Sequence, residues 1–351
     1  MKQAKMQLWL LVLCMLTAFL STPVVMTSFA NEVKGTPLTI EPPLGLPPVP
    51  VPADNPMTVE KVELGKMLYF DKRLSEDNTL SCATCHMPEH GYAEPRPVSL
   101  GIHEQSGTRN ANSVINTAYA TSMFWDGREK DLEAQAAGPV ENPIEMGANM
   151  DLVAKEIAEI PEYKKRFHEV FGQEPSKENI TKALAAFERT ILSGNSAYDQ
   201  FQSGDKTAMS EEAQKGMVLF NGRGLCASCH TPPVFSNWGF YNAGVGMDKE
   251  EPDLGRMTVT NQPADKGAFR VPSLRDITDT APYFHDGSVN TLKEAVTFMA
   301  RGGKDNPNRH PLFRAVEMQN LTDEEIDQLV AFLESLSGEY PVIEEPDLPL
   351  Q

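Results

Sequence analysis

Two short patterns in the chain have the residue types and spacing to do chemistry. They are Cys82-Ala83-Thr84-Cys85-His86 and Cys226-Ala227-Ser228-Cys229-His230. Two thiols with two residues between them and a histidine directly after form the pattern of c-type haem attachment. The thiols add to the vinyl groups of the porphyrin, and the histidine lies under the iron as an axial ligand. A zinc site would need four converging ligands. A redox dithiol would belong to a βαβ pattern that this chain lacks. Two copies at the same point of an internal repeat favour haem. Cys82, Cys85, His86, Cys226, Cys229 and His230 are therefore expected to hold two covalently bound c-type haems.

Residue types alone leave the sixth iron ligands open. The other histidines beyond the N-terminal segment are His90, His103, His168, His285 and His310. His90 is too close to Cys85 to cross the ring. His168 lies in the charged run Lys164-Lys165-Arg166-Phe167-His168 and reads as solvated. His310 follows Asn306-Pro307-Asn308-Arg309 and reads as a loop residue. Of the 16 methionines, most are expected to fill the core.

Helices must position these groups. The repeat runs from Gly65-Lys66-Met67-Leu68-Tyr69-Phe70 into the first motif and from Gly216-Met217-Val218-Leu219-Phe220 into the second. Its shared grammar is a short helix starting near a glycine, a polar loop, then the cysteines. Gly65 to Cys82 spans 17 positions and Gly216 to Cys226 spans 10. Two copies imply two homologous units rather than a solenoid. Ile180, Ala183, Leu184, Phe187 and Ile191 recur at helical spacing, and Asp151 to Ile160 reads as a helix stopped by Pro161. Thr322-Asp323-Glu324-Glu325 is a capping box ahead of Ile326, Leu329, Val330, Leu333 and Leu336. No sustained alternation marks a strand. The fold class is mostly α, with two haem domains and long loops. Eight prolines between 37 and 56 make an extended lead-in. The expected organisation is residues 1–30, a lead-in over 31–56, a first domain over 57–200 and a second over 201–345.

Residues 1–30 read as a cleaved secretory signal peptide. Lys2 and Lys5 precede an apolar run from Leu8 to Leu20, and Ser28-Phe29-Ala30 is a small-residue ending. Cys14 would leave with it, so the five cysteines become four. That places the protein in the periplasm. The chain of 351 residues is 40% hydrophobic and 23% charged, which excludes a disordered or polytopic membrane protein. With 31 basic and 49 acidic residues the net charge is −18. Removing two lysines takes it to −20. That balance argues against nucleic acid and anionic membranes as partners, and suits a basic partner.

At this point the chain resembles the bacterial dihaem cytochrome c peroxidases. The resemblance rests on the two haem motifs, on Phe124-Trp125-Asp126-Gly127-Arg128, on Asp131 to Pro139, and on Asn142-Pro143-Ile144-Glu145-Met146-Gly147. It also rests on Val271-Pro272-Ser273-Leu274-Arg275 and Ala281-Pro282-Tyr283-Phe284-His285-Asp286-Gly287. It covers residues 55–340. It implies two cytochrome c-like domains, an N-terminal peroxidatic haem and a C-terminal electron-transfer haem. It implies His103 as the removable distal ligand of the first and Met299 as the sixth ligand of the second. Trp125 would relay electrons between them. Glu145 would be the acid/base of the peroxide pocket, and Gln135 is expected to hydrogen-bond peroxide. His285 resembles a loop residue near the haems, not an iron ligand. A calcium ion is implied at the Asn110 side chain and the Thr280 and Pro282 carbonyls. The implied substrate is hydrogen peroxide, the implied donor a small cytochrome c or cupredoxin, and the implied assembly a homodimer.

Two other functions compete. A dihaem electron carrier would need no acid/base, so Glu145, Gln135 and Trp125 argue against it. A dihaem oxidase that matures a tryptophan-derived quinone has Tyr at the Met299 position in the related subgroup, so Met299 argues against that.

Overall fold

Two helix pairs, one in each half of the chain, carry the haem motifs. In the first, Val59–Phe70 crosses Lys177–Glu188. Thr58 accepts from the Lys61 N–H at the start of one helix, and Ser176 and Asn179 form a capping box on the other. In the second, Glu211–Asn221 crosses Asp323–Glu334. Ser210 caps the former, and the expected Thr322/Glu325 capping box starts the latter. The computed structural model describes residues 34–350. The expected signal peptide, its Cys14 and the first residues of the lead-in lie outside the described residues.

Gly65 and Gly216 do not start their helices; both lie in the middle. A Cβ at Gly65 would overlap the Ala183 carbonyl and the Phe187 side chain, and one at Gly216 would overlap the Gln328 carbonyl and Phe332. The repeated glycine marks the point where two helix backbones meet. Around these crossings lie two apolar cores. Leu64, Leu68, Tyr69, Tyr163 and Phe187 are buried in the first, and Phe220, Phe235, Leu329 and Phe332 in the second. Each such side chain contributes about 1.5–3 kcal/mol by leaving water.

Pro161 also plays a different part from the one expected. The helix before it, Met150–Ala158, ends three positions earlier, and Pro161 opens the next helix, Pro161–Phe171. A proline suits the first turn because its missing N–H would have no partner there. The Ile180 helix ends at Glu188, so Ile191 packs from beyond its end. The named strands are two residues long: Phe240–Tyr241 pairs antiparallel with Phe269–Arg270.

A second repeat emerges after each cysteine motif. Asn116 and Asp276 both take left-handed φ and each precedes a single 3-10 turn, Thr117–Tyr119 and Ile277–Asp279. A bridge follows in each half, Met123 to Glu129 and Tyr283 to Val289. The helices Leu132–Glu141 and Leu292–Ala300 come next. Each pair is separated by the same interval along the chain.

The lead-in ties into both halves. Tyr119 OH donates to Pro47 O and the Asn195 N–H to Leu44 O, while Arg275 reaches Gly45 O at 3.5 Å. The C-terminal tail returns to the first core through Tyr340, Ile343 and Leu348. Among the described residues no helix is long and apolar enough to cross a membrane.

Candidate haem sites and the wall between them

Each motif sits at the lip of a cavity. Cys82–Cys85 is one helical turn and Cys226–Ser228 one 3-10 turn. The His86 N–H donates to Cys82 O at 3.0 Å and the His230 N–H to Cys226 O at 2.9 Å, so the two turns match. His86 Nδ1 is 3.3 Å from Tyr92 O and His230 Nδ1 is 3.1 Å from Phe235 O. With Nδ1–H given to a carbonyl, the Nε2 lone pair remains for a metal. Burial holds both imidazoles below their usual value, His230 at about 4. A neutral imidazole is the ligating form. All four thiols are unpaired by disulfides. Two free thiols and one oriented neutral imidazole at each cavity fit a covalently attached haem.

The C-terminal cavity, of about 230 Å³, is lined by Cys226, Cys229, His230 and Met299, with Leu274, Val296 and Leu333 among its apolar side chains. Met299 is thus brought to the same cavity as His230. His285 is buried, lines this cavity and stacks on Phe269 at 3.6 Å. Burial lowers its imidazole to about 4.

The N-terminal cavity, of about 530 Å³, gathers Cys82, Cys85, His86, Gln135 and Glu145. Asn142 Nδ2 donates to Glu145 Oε1 at 2.7 Å, which leaves the other oxygen able to turn to a ligand. Burial raises the Glu145 carboxyl above the usual carboxylate value, against the Asn142 bond and the Arg128 charge. Pro139 also lines this cavity. In the second repeat it corresponds to Met299, so the first half has a side chain without a donor atom where the second has a thioether.

His103 is not brought into this group. Its side chain is 66% exposed and its Nδ1 is 4.0 Å from Asp77 Oδ2. Its left-handed φ of 56°, followed by Glu104 at 57°, turns the ring outward. The loop is still docked on the acid: the Ile102 N–H donates to Glu145 O at 2.7 Å, and Gln105 reaches Pro143 O at 3.1 Å. His168 and His310 line neither cavity. His168 pairs with Glu174 at the surface, and His310 caps Pro311–Glu317.

Trp125 and Arg270 line both cavities. Their backbones are joined, since the Arg270 N–H donates to Trp125 O at 2.8 Å. The same bond recurs between their repeat partners: the Asn110 N–H donates to His285 O at 2.7 Å. The wall therefore has a local two-fold character. The Trp125 indole donates to Asn110 O at 2.8 Å and meets His285 edge-on at 6.4 Å. Asn110, Thr280 and Pro282 come together around a third cavity of about 80 Å³ in this region. Among the described residues no cluster of three or more His, Cys, Asp or Glu is placed to hold a metal ion. A cation there would rest on neutral oxygens, with the Asn110 Nδ2 already given to Arg96 O.

Comparison with known proteins agrees with this arrangement. Residues 59–207 match the family described as di-haem cytochrome c peroxidase, and residues 213–337 match cytochrome c. A cytochrome-c peroxidase IdrP1 of Denitromonas iodatirespirans is 38% identical, covering 88% of this chain and 90% of its own. The chain belongs to the bacterial di-haem cytochrome c peroxidase family. A cytochrome c551 peroxidase of Nitrosomonas europaea is 39% identical over 86% of each chain. A crystal structure of a MauG-like protein associated with microbial copper homeostasis superposes with a TM-score of 0.76 at 32% identity, covering 86% of this chain and 96% of its own. As a di-haem cytochrome c peroxidase the chain is an oxidoreductase with two cytochrome c-like domains and two haems.

Sequence reading missed Asn142 as the orienting partner of Glu145, although it opens the motif that contains the acid. It missed Arg270, which directly precedes Val271-Pro272. The second repeat is the signal that finds both Pro139 and Arg270.

Proposed function

We propose that the protein reduces hydrogen peroxide to two waters at the N-terminal cavity, taking two protons and two electrons. The electrons come one at a time from a small cytochrome c or cupredoxin. The observation that carries this reading is the gathering of Glu145 and Gln135 at the cavity of His86, with Trp125 in the wall shared with the cavity of His230 and Met299. Cys82, Cys85 and His86 would hold one haem and Cys226, Cys229, His230 and Met299 the other, and the two groups would supply peroxide binding and electron storage.

The side chains do the rest. Glu145 takes the proton from the nearer peroxide oxygen and returns it to the farther one, so that water leaves as the O–O bond breaks. Its raised carboxyl suits a group that must both accept and release a proton. Gln135 orients the peroxide. Trp125 bridges the two haem sites for electron transfer. His103 would be the removable ligand of the N-terminal haem, released when the C-terminal site is reduced; its exposed side chain on a docked loop supports this reading. A thioether at Met299 favours peroxide reduction over tryptophan-derived quinone maturation. Asn110 Oδ1 and the Thr280 and Pro282 carbonyls would hold a calcium ion, which suits oxygen donors. The protein works in the periplasm as a homodimer, with the boundary between its haem domains at 200.

The test is Glu145→Gln. It is expected to keep both haems and lose about 10²–10⁴-fold in peroxide turnover, read by oxidation of a reduced cytochrome c. Undiminished turnover would remove Glu145 from the mechanism.

A further inference from the structure

Arg270 is a buried cation without a counter-ion. It is 5% exposed, and its Nη1 has no hydrogen-bond partner. Its Nε donates to Phe124 O at 3.0 Å, and the guanidinium lies 5.1 Å from the centre of the Trp238 ring. No carboxylate lies within ion-pair distance among the described residues, in contrast to Arg275, which is clamped by Asp199 at 2.8 Å through two bonds. Burial alone lowers the Arg270 guanidinium to about 10. A buried charge left unpaired is strongly unfavourable, so such groups are paired in working proteins.

The walls around Arg270 do not supply the pair. It lines the two haem cavities and the small third cavity. The C-terminal and third cavities have no Asp or Glu on their walls. Three carboxyls line the N-terminal cavity, and none is within ion-pair distance of Arg270: Asp126 is engaged by Arg109 and Arg128, Glu145 by Asn142, and burial raises Glu188 toward its neutral form. The anion must arrive with a ligand. A porphyrin held by its vinyl carbons at the cysteines carries two carboxylates on the opposite side. A guanidinium fork is matched to carboxylate geometry.

We propose that Arg270 is a carboxylate clamp shared by the two haem sites, a positioning residue that binds porphyrin carboxylates at the wall beside Trp125 and raises the reduction potentials of both sites. The sign follows from charge: a fixed cation favours the reduced state, which carries one positive charge fewer. The clamp also fixes the haem edges relative to Trp125, because the Arg270 backbone is bonded to the Trp125 carbonyl. This inference rests on the two haems and not on the peroxide chemistry.

The test compares the holoenzyme with Arg270→Gln and Arg270→Lys. Haem content, both midpoint potentials by spectroelectrochemistry, and the propionate bending bands in resonance Raman spectra are measured. R270Q is expected to keep two haems, lower both potentials and shift the bending bands. R270K keeps the charge and loses the fork, so its potentials stay nearer wild type while the bands still move. R270Q with two haems and unmoved potentials and bands would overturn the clamp. If R270Q does not accumulate with haem, unmoved bands in R270K would overturn it equally. A loss of peroxide turnover with unmoved potentials and bands also counts against it, whereas shifted potentials stand whether or not the protein turns over peroxide.

Discussion

Glu145 and Glu188 are two carboxyls of one cavity, and burial raises both. On the proposed mechanism Glu145 must be ionised to take its first proton, so turnover is expected to fall as pH drops through its raised value, and E145Q should lose that dependence. Glu188, on the helix that crosses Gly65, is pushed from its ordinary 4.5 to about 8. Its folded value lies above its unfolded one, so the folded protein binds an extra proton between them. The stability this brings is complete below about 4.5 and is lost as pH rises toward 8. Glu188→Gln should flatten the urea midpoint across that window; a slope equal to wild type would mean that Glu188 is ionised in the folded protein. Neither role was legible from residue type. The sequence singled out Glu145 through its motif, whereas Glu188 reads as one more helical acid until its helix is placed against the cavity.

At the scale of elements, the repeated glycine and the docked loop make separate demands. Gly65→Ala and Gly216→Ala each force two helices apart at a carbonyl contact. Overpacking of this kind costs about 1–3 kcal/mol, and a lowered Tm in both variants checks it. The loop from Gly101 to Gln105 is held by main-chain bonds to the Glu145 turn while its histidine points outward. Redox withdrawal of His103 predicts that His103→Ala raises the high-spin fraction of the oxidised protein and leaves the Met299 site low-spin. An unaltered absorption spectrum would exclude His103 as a ligand. The first repeat was legible because both copies keep Cys and His. The second was not, because its paired positions differ in chemistry: Trp125 with His285, Asn110 with Arg270, Pro139 with Met299. Phe124-Trp125-Asp126-Gly127 and Phe284-His285-Asp286-Gly287 share three residues, but shared backbone turns and hydrogen bonds are what extend the match to these functional positions.

For the molecule as a whole, charge is the property that acts at a distance. A net −18 over the chain, or −20 without the expected leader, favours encounter with a basic donor. The kcat/KM for a basic cytochrome c should fall as ionic strength rises, since salt screens over about 8–10 Å near physiological strength. An acidic donor should show the opposite trend. A flat profile for both would assign the surface charge to solvation alone. The amino-acid sequence by itself determined that there are two haem motifs and that the elements around them are helical, because an attachment motif and helix capping are local: each needs only neighbours in the chain. Tertiary structure alone decided that Trp125 and Arg270 belong to both sites, that His103 points away while its loop holds the Glu145 turn, and that Arg270 is buried without a partner. Those facts depend on which distant backbones pack together, and packing of the two halves against one wall is not written in the spacing of any single motif.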